Sequence, residues 1–123
     1  MPNVKTYYKS KDGSKSLSAN FKVREFACND GTDRLLVDQE MVYILQKIRD
    51  ISGQAVNINS AYRTTSYNKK VGGASNSYHL YWRAFDIRTG GLSINNICAI
   101  ANSLGVKGIL KYSNFVHISH KDV

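Results

Sequence analysis

Two stretches of the chain carry apolar residues at helical spacing. Asp38 stands before the first stretch as an N-cap and Gly53 follows it as a helix stop, and the predicted inward positions are Met41, Ile44, Leu45, Ile48 and Ile51. Ser93 and Gly105 bracket the second stretch in the same way, and its predicted inward positions are Ile94, Ile97, Ala101 and Leu104. The pattern therefore predicts two amphipathic helices that each pack one face on a core.

Other stretches alternate apolar and polar residues, as half-buried strands do. They are "AVNINS" (55–60), "RAFDIR" (83–88), "KGILKY" (107–112) and "NFVHIS" (114–119). In the second of them Phe85 and Ile87 share one face, which turns the Asp86 carboxylate away from the core. With a short helix in "TTSYNKK", these elements predict an α+β fold, in which helices pack on one side of a small, mostly antiparallel sheet.

The chain of 123 residues fits one folded domain with a lysine-rich lead in front of it. We place a basic lead segment at 1–17 and the domain at 18–123. The formal net charge is +8, and basic residues crowd the start of the chain: Lys5, Lys9, Lys11, Lys15, Lys22 and Arg24. The lead is either an arm attracted to polyanions, such as the anionic polymers of a bacterial wall, or a solvated and partly disordered segment. Because no nucleic-acid-binding motif accompanies the charge, we do not expect a nucleic-acid partner.

We expect neither a membrane span nor a leader in this chain. Its apolar runs stay below the roughly 18 to 20 residues that a span needs, and its start, "MPNVKTYYKSKDGSKS", lacks the apolar core of a secretory leader. Cys28 and Cys98 are too few for a disulfide scaffold and lack the spacing of a zinc knuckle. Each is predicted to be a small buried hydrophobe, and a bridge between them stays open.

Three side chains form a candidate metal site. On the strand "NFVHIS" the period of two puts Val116 and Ile118 on the core face and His117 on the other. His117 and Asp86 can thus share the polar face of one sheet, and His79 precedes Asp86 by seven positions. Two imidazoles and a carboxylate are a ligand set of catalytic zinc sites. From the pattern alone, the alternative carries more weight, because lone histidines in a basic domain are usually structural or surface residues.

The stretches "SYHLYWRAFDI" and "FVHIS" resemble the zinc D-alanyl-D-alanine carboxypeptidases and the related peptidoglycan endopeptidases, a group of hedgehog-related metallopeptidases. The signature of that group is S-x-H-x-x-G-x-A-x-D, followed later by a histidine in a V-H-I-D type strand. Three further segments are similar to the family in the same order: "NFKVREFACNDG", "VNINSAYRTTSYNKKVGGASNSYH" and "NSLGVKGILKYSNFVHI". The likeness covers roughly Ser18 to Lys121.

The resemblance implies a Zn²⁺ ion held by His79, Asp86 and His117, on the face of the sheet away from the helices. It also implies roles for two other residues. Arg63, in "SAYRT", matches an arginine that polarises the scissile carbonyl or holds the substrate, which would make it catalytic. Ser77 matches a serine that lies beside the substrate. Each has a purely structural alternative, since Arg63 could pair with a surface acid and Ser77 could cap a turn.

Some residues depart from the family pattern near the candidate site. Trp82 stands where the signature has glycine, and an indole there would distort the loop, plug the cleft, or offer an aromatic platform that binds a sugar or peptide. Leu110 and Ala61 also replace glycines that are frequent in relatives.

The general base is the more serious departure. Ser119 occupies a position that is usually acidic in close relatives, and Asn114 occupies the position where other branches carry the catalytic acid. Neither residue is a good base. His120 and Asp122 lie close in sequence, but regular strand alternation turns both of them to the core face unless the strand bulges.

The leading hypothesis is a zinc metallopeptidase, of D,D-carboxypeptidase or endolysin-like type, that hydrolyses amide bonds in peptidoglycan stem peptides or cross-links. The alternative is a catalytically impaired zinc-binding homologue that serves as a wall-binding or structural module. The substrate or partner would be peptidoglycan or a muropeptide from bacteria, reached in the cell wall or outside the cell. Without a leader, we expect the protein to leave the cell by a phage-type lysis route, or a leader to have been removed from the chain.

Overall fold

The computed structural model describes residues 4–73 and 84–119, in which short strands alternate with helices. The strands are β1 (Val4–Tyr8), β2 (Ser16–Ser18), β3 (Phe21–Lys22), β4 (Arg34–Asp38), β5 (Val56–Ser60), β6 (Ala84–Thr89), β7 (Gly108–Lys111) and β8 (Val116–Ser119). The helices are α1 (Lys9–Asp12), α2 (Gln39–Ser52), α3 (Thr65–Lys70) and α4 (Ile94–Ser103), and a 3₁₀ turn covers Val23–Phe26. No helix in these two ranges has the length and apolar character needed to cross a membrane.

The central sheet has the strand order β5-β6-β8-β7, and every neighbouring pair in it is antiparallel. One face of this sheet is closed by α2 and α4, and the side chains that fill the space between are Phe85, Ile87, Val116 and Ile118 from the sheet and Met41, Leu45, Ile48, Ile97 and Ala101 from the helices. This arrangement confirms the predicted α+β class with helices on one side of a small antiparallel sheet. The other face carries the side chains of Asp86 and His117.

Both predicted amphipathic helices are present with their predicted ends. The Asp38 side chain accepts a hydrogen bond from the Glu40 N–H at the start of α2, and Gly53 adopts a φ of 66° just after its end. The prediction for Ile51 is wrong, because its side chain is 57% exposed. At about 100° per residue, Ile51 lies roughly 80° from Met41 on the side away from the buried Val42, outside the stripe that meets the core.

The lead segment contains regular structure. Strand β1 pairs antiparallel with β4, from Val4 opposite Asp38 to Tyr8 opposite Arg34. The Tyr7 side chain is 8% exposed and belongs to the hydrophobic core. The sequence pattern did not predict β1 or β4, because each is a stretch of five residues that is stabilised by pairing with a strand distant in sequence. Residues 4–12 therefore pack on the fold as a strand and a helical turn.

The segment after the lead forms the 3₁₀ turn Val23–Phe26. The Phe26 ring lies 5.1 Å from the Phe85 ring, which ties this turn to the core face of β6. Cys28 is buried, as predicted, and Cys98 is partly buried. Both cysteines lie within the described residues and are free thiols, so the bridge left open by the sequence is absent.

Candidate functional site

Asp86 and His117 are neighbours on the open face of the central sheet. They are direct register partners on β6 and β8, each one position away from core residues on either side. The His117 Nδ1 atom lies 2.9 Å from Asp86 Oδ1. Their side chains are only 16% and 10% exposed, so the contact is largely shielded from water. The sequence predicted that these two residues share a polar face, and the register makes them a contacting pair.

Arg63 contacts the other oxygen of the same carboxylate. Its Nη2 atom lies 3.3 Å from Asp86 Oδ2, its Nη1 donates to Asn68 Oδ1 at 3.1 Å, and its Nε donates to Ser60 Oγ at 3.2 Å. The guanidinium side chain is 14% exposed. Arg63 is thus held between a strand, a helix and the candidate metal ligand. Its carboxylate partner is not a surface acid, because the Asp86 side chain is only 10% exposed.

A row of side chains crosses the sheet at the level of this contact. Ser60 on β5 is opposite Asp86, Asp86 is opposite His117, and His117 is opposite Leu110 on β7. Leu110 is 54% exposed and stands at the edge of the sheet, beside His117. Leu110, which stands where the family resemblance implies a glycine, therefore forms an apolar edge next to the candidate ligand His117.

The loop that carries Arg63 is fixed by a polar cluster. The Thr64 hydroxyl caps α3 by accepting from the Tyr67 N–H at 3.2 Å, and it donates to Asp30 Oδ2 at 2.8 Å. Asp30 Oδ1 accepts from the Thr32 N–H at 2.9 Å. The hydrogen bonds from Thr32, and then the one from Thr64, hold the pKa of the Asp30 carboxyl well below its ordinary value. Thr64, which follows Arg63, is therefore hydrogen-bonded both to α3 and to the loop after the 3₁₀ turn.

The other candidate residues lie outside the described part of the chain. These are the predicted ligand His79, the substrate-binding candidates Ser77 and Trp82, and His120 and Asp122. Within residues 4–73 and 84–119, no three histidine, cysteine or acidic side chains gather into a metal site. The two predicted ligands in those ranges, Asp86 and His117, do come together.

The described pair has the donor chemistry that zinc takes. A ring nitrogen and a carboxylate oxygen are both ligands of Zn²⁺ in proteins. Here they face each other, and the second carboxylate oxygen is engaged by Arg63. A hydrogen-bonded outer partner of this kind is usual for a metal-binding carboxylate. Asp86 and His117 therefore fit two positions of the ligand set that the sequence indicated.

The two positions that carry an acid in relatives occupy different environments. Ser119 is on β8 two residues after His117, and it is 1% exposed. Asn114 is exposed in the turn between β7 and β8.

Two neighbours of Arg63 were not predicted as site residues, namely Ser60 and Asn68. Ser60 could have been proposed from the sequence, because it ends the predicted strand "AVNINS" three positions before Arg63. No sequence signal distinguishes Asn68 from other asparagines in helices.

Comparison with known proteins decides the family. Residues 18–119 match the peptidase M15 family over most of the chain. The chain belongs to the peptidase M15 family. It is also similar to the zinc D-Ala-D-Ala carboxypeptidase of Streptomyces albus G, with 32% identity over 79 residues, which is 63% of this chain and 30% of that protein. The resemblance drawn from the sequence motifs is thereby confirmed, and the M15 chain described here spans less than a third of the length of that relative.

Proposed function

We propose that this M15 protein is a zinc-dependent peptidase that cleaves amide bonds in the stem peptides or cross-links of peptidoglycan. The observation that carries the proposal is the 2.9 Å contact between His117 Nδ1 and Asp86 Oδ1 on the open face of the sheet. The family match and the zinc D-Ala-D-Ala carboxypeptidase relative support the same chemistry. The substrate would be a muropeptide or intact peptidoglycan, encountered in the cell wall or outside the cell.

His79, Asp86 and His117 would hold the zinc ion. When bound, zinc supplies an electrophile for the scissile carbonyl and an activated water. Arg63 keeps the Asp86 carboxylate in place through Oδ2. Three of its five N–H groups are directed to the described acceptors, which leaves one on each terminal nitrogen for the oxygen of a substrate carbonyl or carboxylate. Ser77 and Trp82 are proposed to contact the rest of the substrate.

Proton transfer is the step for which this chain is least equipped. Amide hydrolysis needs a group that takes a proton from the attacking water and delivers it to the leaving amine. The position two residues after His117 is Ser119, and the position three residues before it is Asn114. Neither carries the carboxylate that a relative would use, so the proposed activity depends on a base elsewhere.

The second candidate function follows from the same residues. A zinc-binding homologue with impaired catalysis would keep Asp86, His117 and Arg63 and serve as a wall-binding or structural module. The absence of an acid at positions 114 and 119 favours it, as does Trp82 in place of the signature glycine. In that case the basic lead would contribute to binding of anionic wall polymers.

The deciding experiment is muropeptide release from purified peptidoglycan, with the metal content of the protein measured and with a chelator in a parallel reaction. Chelator-sensitive release of new peptides supports the peptidase, and the product masses identify the bond. The Asn102→Ala variant, on an exposed position of α4, is the matched control and should behave as the parent protein. Bound zinc without release, on walls of several cross-link types, would favour the binding module instead.

A further inference from the structure

Three nitrogens of the Arg63 guanidinium are each held by a contact, and two of these contacts, from Ser60 and Asn68, come from residues with no assigned role. Nε donates to Ser60 Oγ at 3.2 Å, Nη1 donates to Asn68 Oδ1 at 3.1 Å, and Nη2 lies 3.3 Å from Asp86 Oδ2. A guanidinium is a rigid plane, so fixing two of its nitrogens determines where the third one lies. The two neutral contacts therefore set the direction from which Arg63 meets Asp86.

Asn68 is built into the fold more firmly than a surface asparagine. It lies on α3, and only 3% of it is exposed. The backbone carbonyl of Asn68 accepts a hydrogen bond from the Gly73 N–H at 2.8 Å, and the backbone N–H of Asn68 donates to the Thr64 backbone carbonyl at 2.9 Å. Since a buried carboxamide must be hydrogen-bonded to offset its lost hydration, its bond to Arg63 has a structural value of its own.

Gly73 makes room for the contact between Asn68 and Arg63. A Cβ atom at Gly73 would collide with Asn68 Oδ1 and would stand 2.9 Å from Arg63 Nη1. Asn68 could avoid such a methyl group only by moving the oxygen that holds Arg63. The absence of a side chain at position 73 is therefore part of the same arrangement.

We propose that Asn68 is a positioning residue of the candidate zinc site, whose carboxamide oxygen orients Arg63 so that Arg63 holds one oxygen of Asp86 and leaves the other facing His117. The inference rests on the proposed function, in which Asp86 and His117 bind zinc. Asn68 touches neither ligand through its described contacts, and it acts through Arg63.

The chemistry of the acceptor is important here. Asn68 is neutral, so its oxygen fixes Nη1 without offering the arginine a second negative charge. The positive charge of Arg63 therefore remains directed at Asp86, the carboxylate it contacts at 3.3 Å. An alanine at position 68 would remove one of the two neutral contacts, so that Ser60 alone would set the direction from which the guanidinium meets Asp86.

The test measures the zinc dissociation constant, by competition with a chelator, in the full-length protein. Arg63→Ala should weaken zinc binding by about 10- to 100-fold, the usual effect of losing an outer partner of a metal ligand, and Asn68→Ala, which acts through Arg63, should weaken it by no more than that. Asn68→Asp keeps an acceptor at the same place but offers Arg63 a second negative charge, so its loss of zinc affinity should be intermediate between that of the parent and that of Asn68→Ala. Gly73→Ala, which keeps Asn68 but crowds its oxygen, should shift zinc affinity in the same direction as Asn68→Ala. Asn102→Ala is the control.

A double-mutant cycle separates positioning from a general loss of stability. If Asn68 acts through Arg63, adding Asn68→Ala to Arg63→Ala should cause no further loss of zinc affinity. Additive losses would overturn the proposal, and so would equal losses in Asn68→Ala and Asn68→Asp. Thermal unfolding of each variant shows whether it is folded under the conditions of the zinc measurement.

The same measurements tell this proposal apart from the proposed function. Asp86→Ala and His117→Ala should abolish stoichiometric zinc binding. If they do while Asn68→Ala and Gly73→Ala bind zinc as the parent does, the positioning role is wrong and the zinc site stands. If Asp86→Ala and His117→Ala leave zinc binding intact, the proposed function fails first.

Discussion

Ser119 packs directly against Gly108 across β7 and β8. The two residues are register partners, and a Cβ atom added to Gly108 would collide with the Ser119 hydroxyl. By alternation, Ser119 is on the same side of β8 as His117, yet it is 1% exposed. The position at which close relatives carry an acid is thus filled here by a small side chain in a closely packed space.

This packing sets the outcome expected for Ser119→Asp. If a missing acid is the main defect, the variant should raise chelator-sensitive muropeptide release. It should also be less stable by about 1 to 3 kcal/mol, because a larger and charged group enters a buried position. Muropeptide assays and denaturant unfolding of the same preparations test both parts.

Asn114→Asp is the matched variant for that experiment. It adds an acid at the other position used by relatives, but in an exposed turn, so its stability should stay within about 0.5 kcal/mol of the parent. A rise in activity in one variant identifies where the acid is needed. Unchanged activity in both would show that the missing acid is not the limiting defect and would point to Trp82 or to a base elsewhere.

The predicted zinc ligands can be tested without any assay of activity. His79→Ala, Asp86→Ala and His117→Ala should each lose stoichiometric zinc, because a tetrahedral site with three protein ligands does not hold the metal firmly with two. Elemental analysis of purified protein after dialysis is the measurement, with Asn102→Ala as the control. A His117→Ala variant that keeps one zinc per chain would remove His117 from the ligand set.

Leu110 is expected to restrict access to the site. Its half-exposed side chain is opposite His117 on the edge strand β7, at a position where relatives often have glycine. Leu110→Gly should therefore raise kcat/KM for large, cross-linked muropeptides more than for small ones, at a stability cost of up to about 1 kcal/mol. Lys111→Gly changes the same strand on its other face and is the control. An equal effect of both variants would mean that strand flexibility, not the leucine side chain, limits access.

The sequence was informative where a feature is local. The ends of α2 depend on Asp38 and Gly53, and the shared face of Asp86 and His117 follows from strand alternation, so both could be predicted. The contact between Arg63 and Asn68 could not, although the two residues are only five positions apart, because a side-chain hydrogen bond from a loop arginine to a helix asparagine has no sequence pattern of its own. Strand β1 was missed for a different reason: it is stabilised by pairing with β4, which is distant in sequence.

The packing of β1 gives a stability prediction for the lead segment. Tyr7→Ala should lower the free energy of unfolding by about 3 kcal/mol, because the ring is 8% exposed within the core. Tyr8→Ala, whose side chain is 45% exposed on the same strand, is the control and should change stability much less. Denaturant unfolding of both variants is the measurement. Equal and small effects would mean that β1 contributes little to the fold and that the lead behaves as a separate arm.

The Asp30 carboxylate should make stability depend on pH. Hydrogen bonds from Thr32 and Thr64 lower its pKa in the folded protein below the ordinary value of about 4. A lowered folded pKa gives stability that is present above about pH 4 and is lost as the pH falls towards the folded pKa. Asp30→Asn should therefore be less stable than the parent at pH 7, and the difference should shrink at pH 3 and below.

The control for Asp30 changes its hydrogen-bond donor. Thr64→Ser keeps the hydroxyl that bonds both Asp30 and the Tyr67 N–H, so its pH dependence should match that of the parent, whereas Thr64→Val should lose part of it. Unfolding free energies at pH 7, 5 and 3 provide the comparison. If the difference in unfolding free energy between the parent and Asp30→Asn is the same at all three pH values, the ionised carboxylate of Asp30 is not what ties the loop after the 3₁₀ turn to the start of α3. The loop that carries Arg63 would then be held by its other contacts, among them the Thr64 cap and the hydrogen bond from the Tyr62 N–H to the Phe26 carbonyl.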